Sequence, residues 1–219
     1  MLKSQKHVFW EALLIAIVVF VFGFLMGFAF ESNRIDKLES YYASSEIFMT
    51  DGLAFSSLAD LEKVDCEKLV SSNLFFADKI YEEAKLLGKY EARELLSEDL
   101  KLVHKKYDLL RTFLWMNSMK IQENCPSEDY NIVVYLYEYE TEDLAKKATQ
   151  QVWSKVLGDL KQDVGNRIVL IPLAADIELA SLDYLVSQFE IEEYPAVVIN
   201  GVLVEGGVAT VDELKEYLT

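Results

Sequence analysis

Three patterns of apolar and polar positions follow one another along this chain. From Ala12 to Phe30 there are 19 consecutive uncharged residues, nearly all large and apolar. As a helix this run spans roughly 28 Å, the thickness of a bilayer's hydrocarbon core. Val8, Phe9 and Trp10 extend it, with Trp10 where an interfacial aromatic sits. The pattern predicts a transmembrane helix over 8–30, after a short tail at 1–7. The competing reading is a cleaved signal peptide. That would require a shorter apolar run and a small-x-small site, whereas the segment ends Gly27-Phe28-Ala29-Phe30-Glu31. Gly23 and Gly27 share one helix face, a spacing that lets membrane helices approach closely and allows a homo-oligomer. Glu11 lies one turn inside the membrane edge, within reach of the interface by snorkelling.

The second pattern has helical spacing. Residues 31–122 contain no proline, and apolar residues recur at three and four. Ile35, Leu38, Tyr42 and Met49 fit a stalk, with Thr50-Asp51-Gly52 as its expected end. Leu69, Phe76, Ile80 and Leu87 form the face of a second helix, and Gly88 is an expected stop or kink. Ser97-Glu98-Asp99 starts a third as an N-cap with acidic first-turn residues. Leu100, Val103, Tyr107, Leu110 and Leu114 line its inner face. The expectation over 31–125 is a stalk and an antiparallel helical hairpin. Tyr41-Tyr42 and Phe75-Phe76 place aromatics on more than one face, as an assembly surface would.

The third pattern alternates short apolar runs with amphipathic stretches. Residues 131–137, Asn-Ile-Val-Val-Tyr-Leu-Tyr, suit a buried strand. Thr141-Glu142-Asp143 caps a helix reaching about Val164. Ile168 to Leu173 is a second buried strand, and Leu179 to Phe189 a short helix. Ala196 to Ile199 and Val202 to Val204 pair through Asn200-Gly201, a hairpin signal because both residues tolerate positive φ. Val211 to Leu218 closes as a helix. The sequence thus predicts an α/β domain over 126–219, a central mixed sheet with flanking helices, preceded by an all-α hairpin and one membrane helix.

Charge sets an orientation and excludes partners. The net charge is −16. Residues 1–30 carry Lys3, Lys6 and Glu11, or +1, which leaves −17 for the remainder. The positive-inside rule then predicts a cytoplasmic N-terminus and an extracytoplasmic bulk at a cell membrane. So acidic an exterior repels phosphate, which argues against nucleic acid, and it repels anionic lipid surfaces.

Cys66 and Cys125 are the two cysteines, 59 residues apart. That spacing excludes a Cys-x-x-Cys motif and a cysteine-based zinc site. In an antiparallel hairpin the start of the second helix and the end of the third are neighbours, so a structural disulfide is expected on the oxidising side. Two free thiols, or a redox-active pair, are the alternatives. His7 and His104 are the two histidines and lie in different regions. The sequence therefore predicts no metal site and no Cys/His catalytic arrangement, and it places His104 on the surface.

The order strand, helix, strand, helix, strand, hairpin, strand, helix over residues 131–219 resembles the thioredoxin superfamily. The sharpest likeness is Ile191-Glu192-Glu193-Tyr194-Pro195-Ala196-Val197-Val198-Ile199-Asn200-Gly201. There a short helix leads to a residue-Pro step, a strand and a glycine hairpin. In that family the Pro step is cis, and its loop faces the start of the catalytic helix and helps hold an extended peptide. The resemblance therefore implies a peptide-binding site of Tyr194 and Pro195 opposite Tyr139, Glu140 and Thr141. A purely structural role for Tyr194-Pro195 is the alternative. The family's Cys-x-x-Cys is replaced by Glu138-Tyr139-Glu140-Thr141-Glu142-Asp143, and no cysteine lies from Pro126 onward. Without a thiolate there is no nucleophile for disulfide exchange. The resemblance then implies a domain with no catalytic residue and no cofactor, which binds a polypeptide or serves as a subunit of a membrane complex. The alternatives are an oxidoreductase working through Cys66 and Cys125, and an oligomerising spacer.

Overall fold

The structure, a computed structural model, describes residues 5–58, 65–91 and 97–218. Contacts divide the chain into two compact units, Met1–Thr50 and Asp51–Thr219.

The first unit is the greater part of helix α1 (Gln5–Leu58). Its stretch Phe9–Gly27 is long and apolar enough to cross a membrane, with a mean hydropathy of 2.5 and no part buried. A Cβ placed on Gly23 or Gly27 meets nothing within 4 Å. The side chains of Ile35, Leu38, Tyr41, Tyr42 and Met49, expected on the stalk, lie outside those described.

The expected helix end at Gly52 is not one. α1 continues to Leu58, and Gly52 is buried. A Cβ on Gly52 would stand 2.5 Å from Cζ of Phe76. Glycine is there because a ring occupies the side-chain position, not because the backbone turns. Gly88 is likewise no stop, since α2 (Cys66–Glu91) runs through it. The side chains of Leu87, Leu100 and Val103 lie outside those described.

The remaining elements of the second unit are α3 (Ser97–Asn124), β1 (Asn131–Tyr137), α4 (Leu144–Val164), β2 (Ile168–Ala174), α5 (Ala180–Gln188), β3 (Ala196–Ile199), β4 (Val202–Leu203) and α6 (Val211–Lys215). The four strands form one mixed sheet in the order β2-β1-β3-β4. β1 runs parallel to β2 and antiparallel to β3, and β3 is antiparallel to β4. The Tyr194-Pro195 bond before β3 is cis.

Residues 131–136 are all buried because helices cover both faces of β1. On one face Val133, Tyr135, Val197 and Ile199 pack with Trp153, Leu157 and Leu160 of α4 and Leu214 of α6. By alternation, Ile132, Val134 and Leu136 belong to the other face. There α3 packs against β1, β2 and α5, and Trp115 stacks on Phe189 with ring centroids 5.2 Å apart. The hairpin is therefore part of the sheet's own core. Pro172 lies in β2, an edge strand, where a missing N–H is tolerated and discourages further pairing.

α2 packs on α3, with Leu69, Phe76 and Ile80 buried on one helix and Tyr107, Leu110 and Leu114 on the other. Cys66 and Cys125 form a disulfide with Cα atoms 5.7 Å apart. A buried polar group adds specificity. The Tyr130 hydroxyl donates to Ser118 Oγ at 2.7 Å, and Asn73 Nδ2 donates to Ser118 Oγ at 3.0 Å.

Asn200 and Gly201 both have positive φ, 50° and 81°, as a two-residue hairpin turn requires. The Asn200 side chain does more than turn the chain. Its Oδ1 accepts from the Ile132 amide and from Gln122 Nε2, while its Nδ2 donates to Asn131 Oδ1 and the Tyr217 carbonyl. One side chain thus ties α3, β1 and the end of α6.

Candidate functional site

The candidate surface is the C-terminal end of β1 and the loops beside it. The chain leaves β1 at Tyr137 and must reach the start of α4 seven residues later. Asp143 caps α4, its Oδ1 accepting from the amides of Ala145 and Lys146. Gln150, about two turns on from the cap, reaches back to the strand end. Its Oε1 accepts from the Glu138 amide and its Nε2 donates to the Glu138 carbonyl. The loop is therefore fixed from the α4 side.

It is fixed from the other side by Asp176, in the turn after β2. The amides of Tyr139 and Glu140 donate to the two carboxylate oxygens of Asp176, each at 2.8 Å. Two adjacent N–H groups on one carboxylate form a small anion nest filled by the chain's own side chain.

The first turns of α3 lie against this loop. Lys101 Nζ pairs with the Glu140 carboxylate at 2.9 Å, and the His104 ring lies over Tyr139 with centroids 4.2 Å apart. His104 is consequently buried, 9% exposed, and is not the surface residue expected. The helix is charged here, with Lys105 and Lys106 next in sequence, but adjacent residues on a helix point in different directions, so those charges do not carry His104 to the surface. Lys101, Leu102, Lys105, Glu140, Asp176, Ile177 and Glu178 line an open groove of about 440 Å³.

The five residues assigned to peptide binding divide into two groups. Tyr139 and Glu140 are turned to α3 and already engaged. Thr141 is half-buried, and its Oγ1 accepts a long bond, 3.4 Å, from the Asp143 amide. Tyr194 and Pro195 are half-buried beside β3. Burial raises the Tyr194 phenol, and the charges of Asp183, Glu138 and Asp176 raise it further. Those three carboxylates place the phenol in a negative field at the strand ends. Glu138 is itself paired with Lys146 Nζ at 2.6 Å, which holds that lysine's ionisation above its ordinary range. Leu144 and Tyr184 are the large exposed side chains nearest in sequence to this acidic rim. Among the described residues, no three His, Cys, Asp or Glu side chains are grouped to hold a metal.

One turn into α3 from His104, Asp108 is fully buried. Its Oδ1 pairs with Arg111 Nη1 at 3.0 Å. Burial pushes its carboxyl up to about 6, opposed by Arg111 and the Ala174 amide and reinforced by Asp176.

Sequence reasoning missed Asp176, Gln150, Asp108 and the second role of Asn200. Asp176 meets its amides 36 and 37 residues away, a distance over which local spacing gives no sign. Compared with known proteins, the chain matches no family model and no curated sequence.

Proposed function

We propose that this chain is a membrane-anchored, redox-silent member of the thioredoxin-like fold group, whose domain holds a polypeptide at the Tyr194-Pro195 edge. The observation that carries the reading is the strand order β2-β1-β3-β4, with a β1–α4 loop that has no cysteine. In the thioredoxin arrangement that loop bears the chemistry and the residue-Pro loop bears the peptide. Here the first has lost its nucleophile, and binding is the simplest retained property. Both cysteines of the chain are joined to each other at the far end of the hairpin sequence. This favours a staple over a redox pair serving the loop.

Half-buried Tyr194 supplies apolar contact area, and Leu144 on α4 and Tyr184 on α5 are exposed apolar side chains close in sequence to the acidic groups around it. Tyr139 and Glu140, being engaged by α3, border the site rather than form its centre. The Phe9–Gly27 helix anchors the chain, with the N-terminus cytoplasmic and the acidic bulk outside; Gly23 and Gly27 offer a face for self-association.

Photo-crosslinkers at Tyr194 and Thr141 in native membranes test the reading. They should capture a polypeptide, and one at exposed Lys155 on α4 should capture less. Equal capture at all three positions, or insulin-reductase turnover abolished by Cys66→Ser, would replace it with non-specific contact or with the oxidoreductase.

A further inference from the structure

We propose that the start of α3 is an acid-tightened latch over the β1–α4 loop, with the buried Asp108 as its proton-binding group. The geometry places Asp108 at the seam between α3 and the sheet. It has no exposed surface, and one oxygen pairs with Arg111, itself largely buried. No hydrogen bond of ordinary geometry reaches Oδ2, although the Ala174 amide at the end of β2 favours the charged form. The charged and titratable groups around it are Arg111, Tyr107 and His104 on its own helix and Asp176 in the turn after β2. One and two turns earlier, the same helix carries His104 against Tyr139 and Lys101 against Glu140. Whatever tightens α3 at Asp108 therefore tightens the cover on the loop.

The sign follows from burial. The docked carboxyl binds its proton up to about pH 6, whereas a hydrated one has the ordinary value of 3.8. The docked state thus holds the proton more tightly. Its stability is fully present below 3.8 and is lost as pH rises through about 6. Between pH 7 and pH 5 the ratio of docked to open α3 should rise about tenfold. Acid closes the latch and neutral pH loosens it. The consequence for binding rests on the function proposed above; the latch itself does not.

Hydrogen exchange of the full chain in detergent micelles, read as protection factors corrected for intrinsic exchange, separates the two. Protection over 101–112 and 138–143 should rise about tenfold from pH 7 to pH 5 in the wild type, and stay flat in Asp108→Asn. A wild-type slope that is absent or reversed overturns the proposal. So does a slope that persists in Asp108→Asn, which would assign it to His104 or another group. Should that variant fail to fold, the wild-type slope and the ¹³C titration of the Asp108 carboxyl decide. A midpoint near 6 supports the latch and one near 4 overturns it. Because neither readout uses a bound polypeptide, failure of the binding reading leaves both intact.

Discussion

On the α4/α6 side of the sheet, Val133 and Tyr135 meet Trp153, Leu157, Leu160 and Leu214 in an apolar cluster, where the Tyr135 hydroxyl donates to the Gln150 carbonyl. On the α3 side the same strand meets a helix that buries Asp108, Thr112, Asn117, Ser118 and His104. The first face asks only for apolar residues of fitting volume at the right period. The second asks for partners at particular atoms, because a buried polar group left unmatched costs more than an apolar one. One face is specified by pattern alone, and the other adds local pairing in the Asn73–Ser118–Tyr130 group and between Asp108 and Arg111. On that second side the Tyr107 hydroxyl, Asn117 Nδ2 and Asp108 Oδ2 make no hydrogen bond of ordinary geometry among the described residues. The disulfide lies on this side as well.

Three perturbations sharpen that contrast. The largest is loss of the Cys66–Cys125 bond. Its 59-residue separation corresponds to about 4 kcal/mol of loop-closure entropy. The double Cys→Ser chain should lose about that much in urea denaturation, with exchange protection falling first in α2 and α3. Uniform loss across the sheet would mean that the two faces are one cooperative structure. Leu157→Ala comes next, at about 3 kcal/mol for a buried leucine replaced by a cavity. It should lower protection in β1, β3 and α4 alike. The smallest is Tyr130→Phe, which removes the hydroxyl bonded to Ser118 and should cost about 1–2 kcal/mol. A neutral Tyr130→Phe would show that the pairing on the α3 side contributes specificity without stability.

The strands, α4, the hairpin turn and the membrane-length helix were legible in the sequence, because each is a local pattern: β-branched runs, a capping aspartate, Asn-Gly, an uncharged stretch. The disulfide was legible because the antiparallel hairpin fixes which helix ends meet. The rest was not local. Gly52 reads as a terminator until the Phe76 ring is found in its side-chain space. His104 reads as a surface residue beside its lysine neighbours until Tyr139 is brought over it. The packing of α3 on the sheet could not be read from spacing, since its apolar residues serve α2 and the strands at once. The site followed the same rule. Tyr194-Pro195 stood out as a motif, whereas Asp176 became visible only through the two amides it holds.

The Tyr194-Pro195 edge is proposed to bind a polypeptide without redox chemistry. The most direct measurement is crosslink yield from Thr141 in native membranes, compared between the wild type and Tyr194→Ala. Truncating a half-buried aromatic at a contact removes area from the partner more than from the core. Yield should fall several-fold while the unfolding free energy from urea denaturation stays within about 0.5 kcal/mol of wild type. An unchanged yield with the fold intact would contradict the proposed binding.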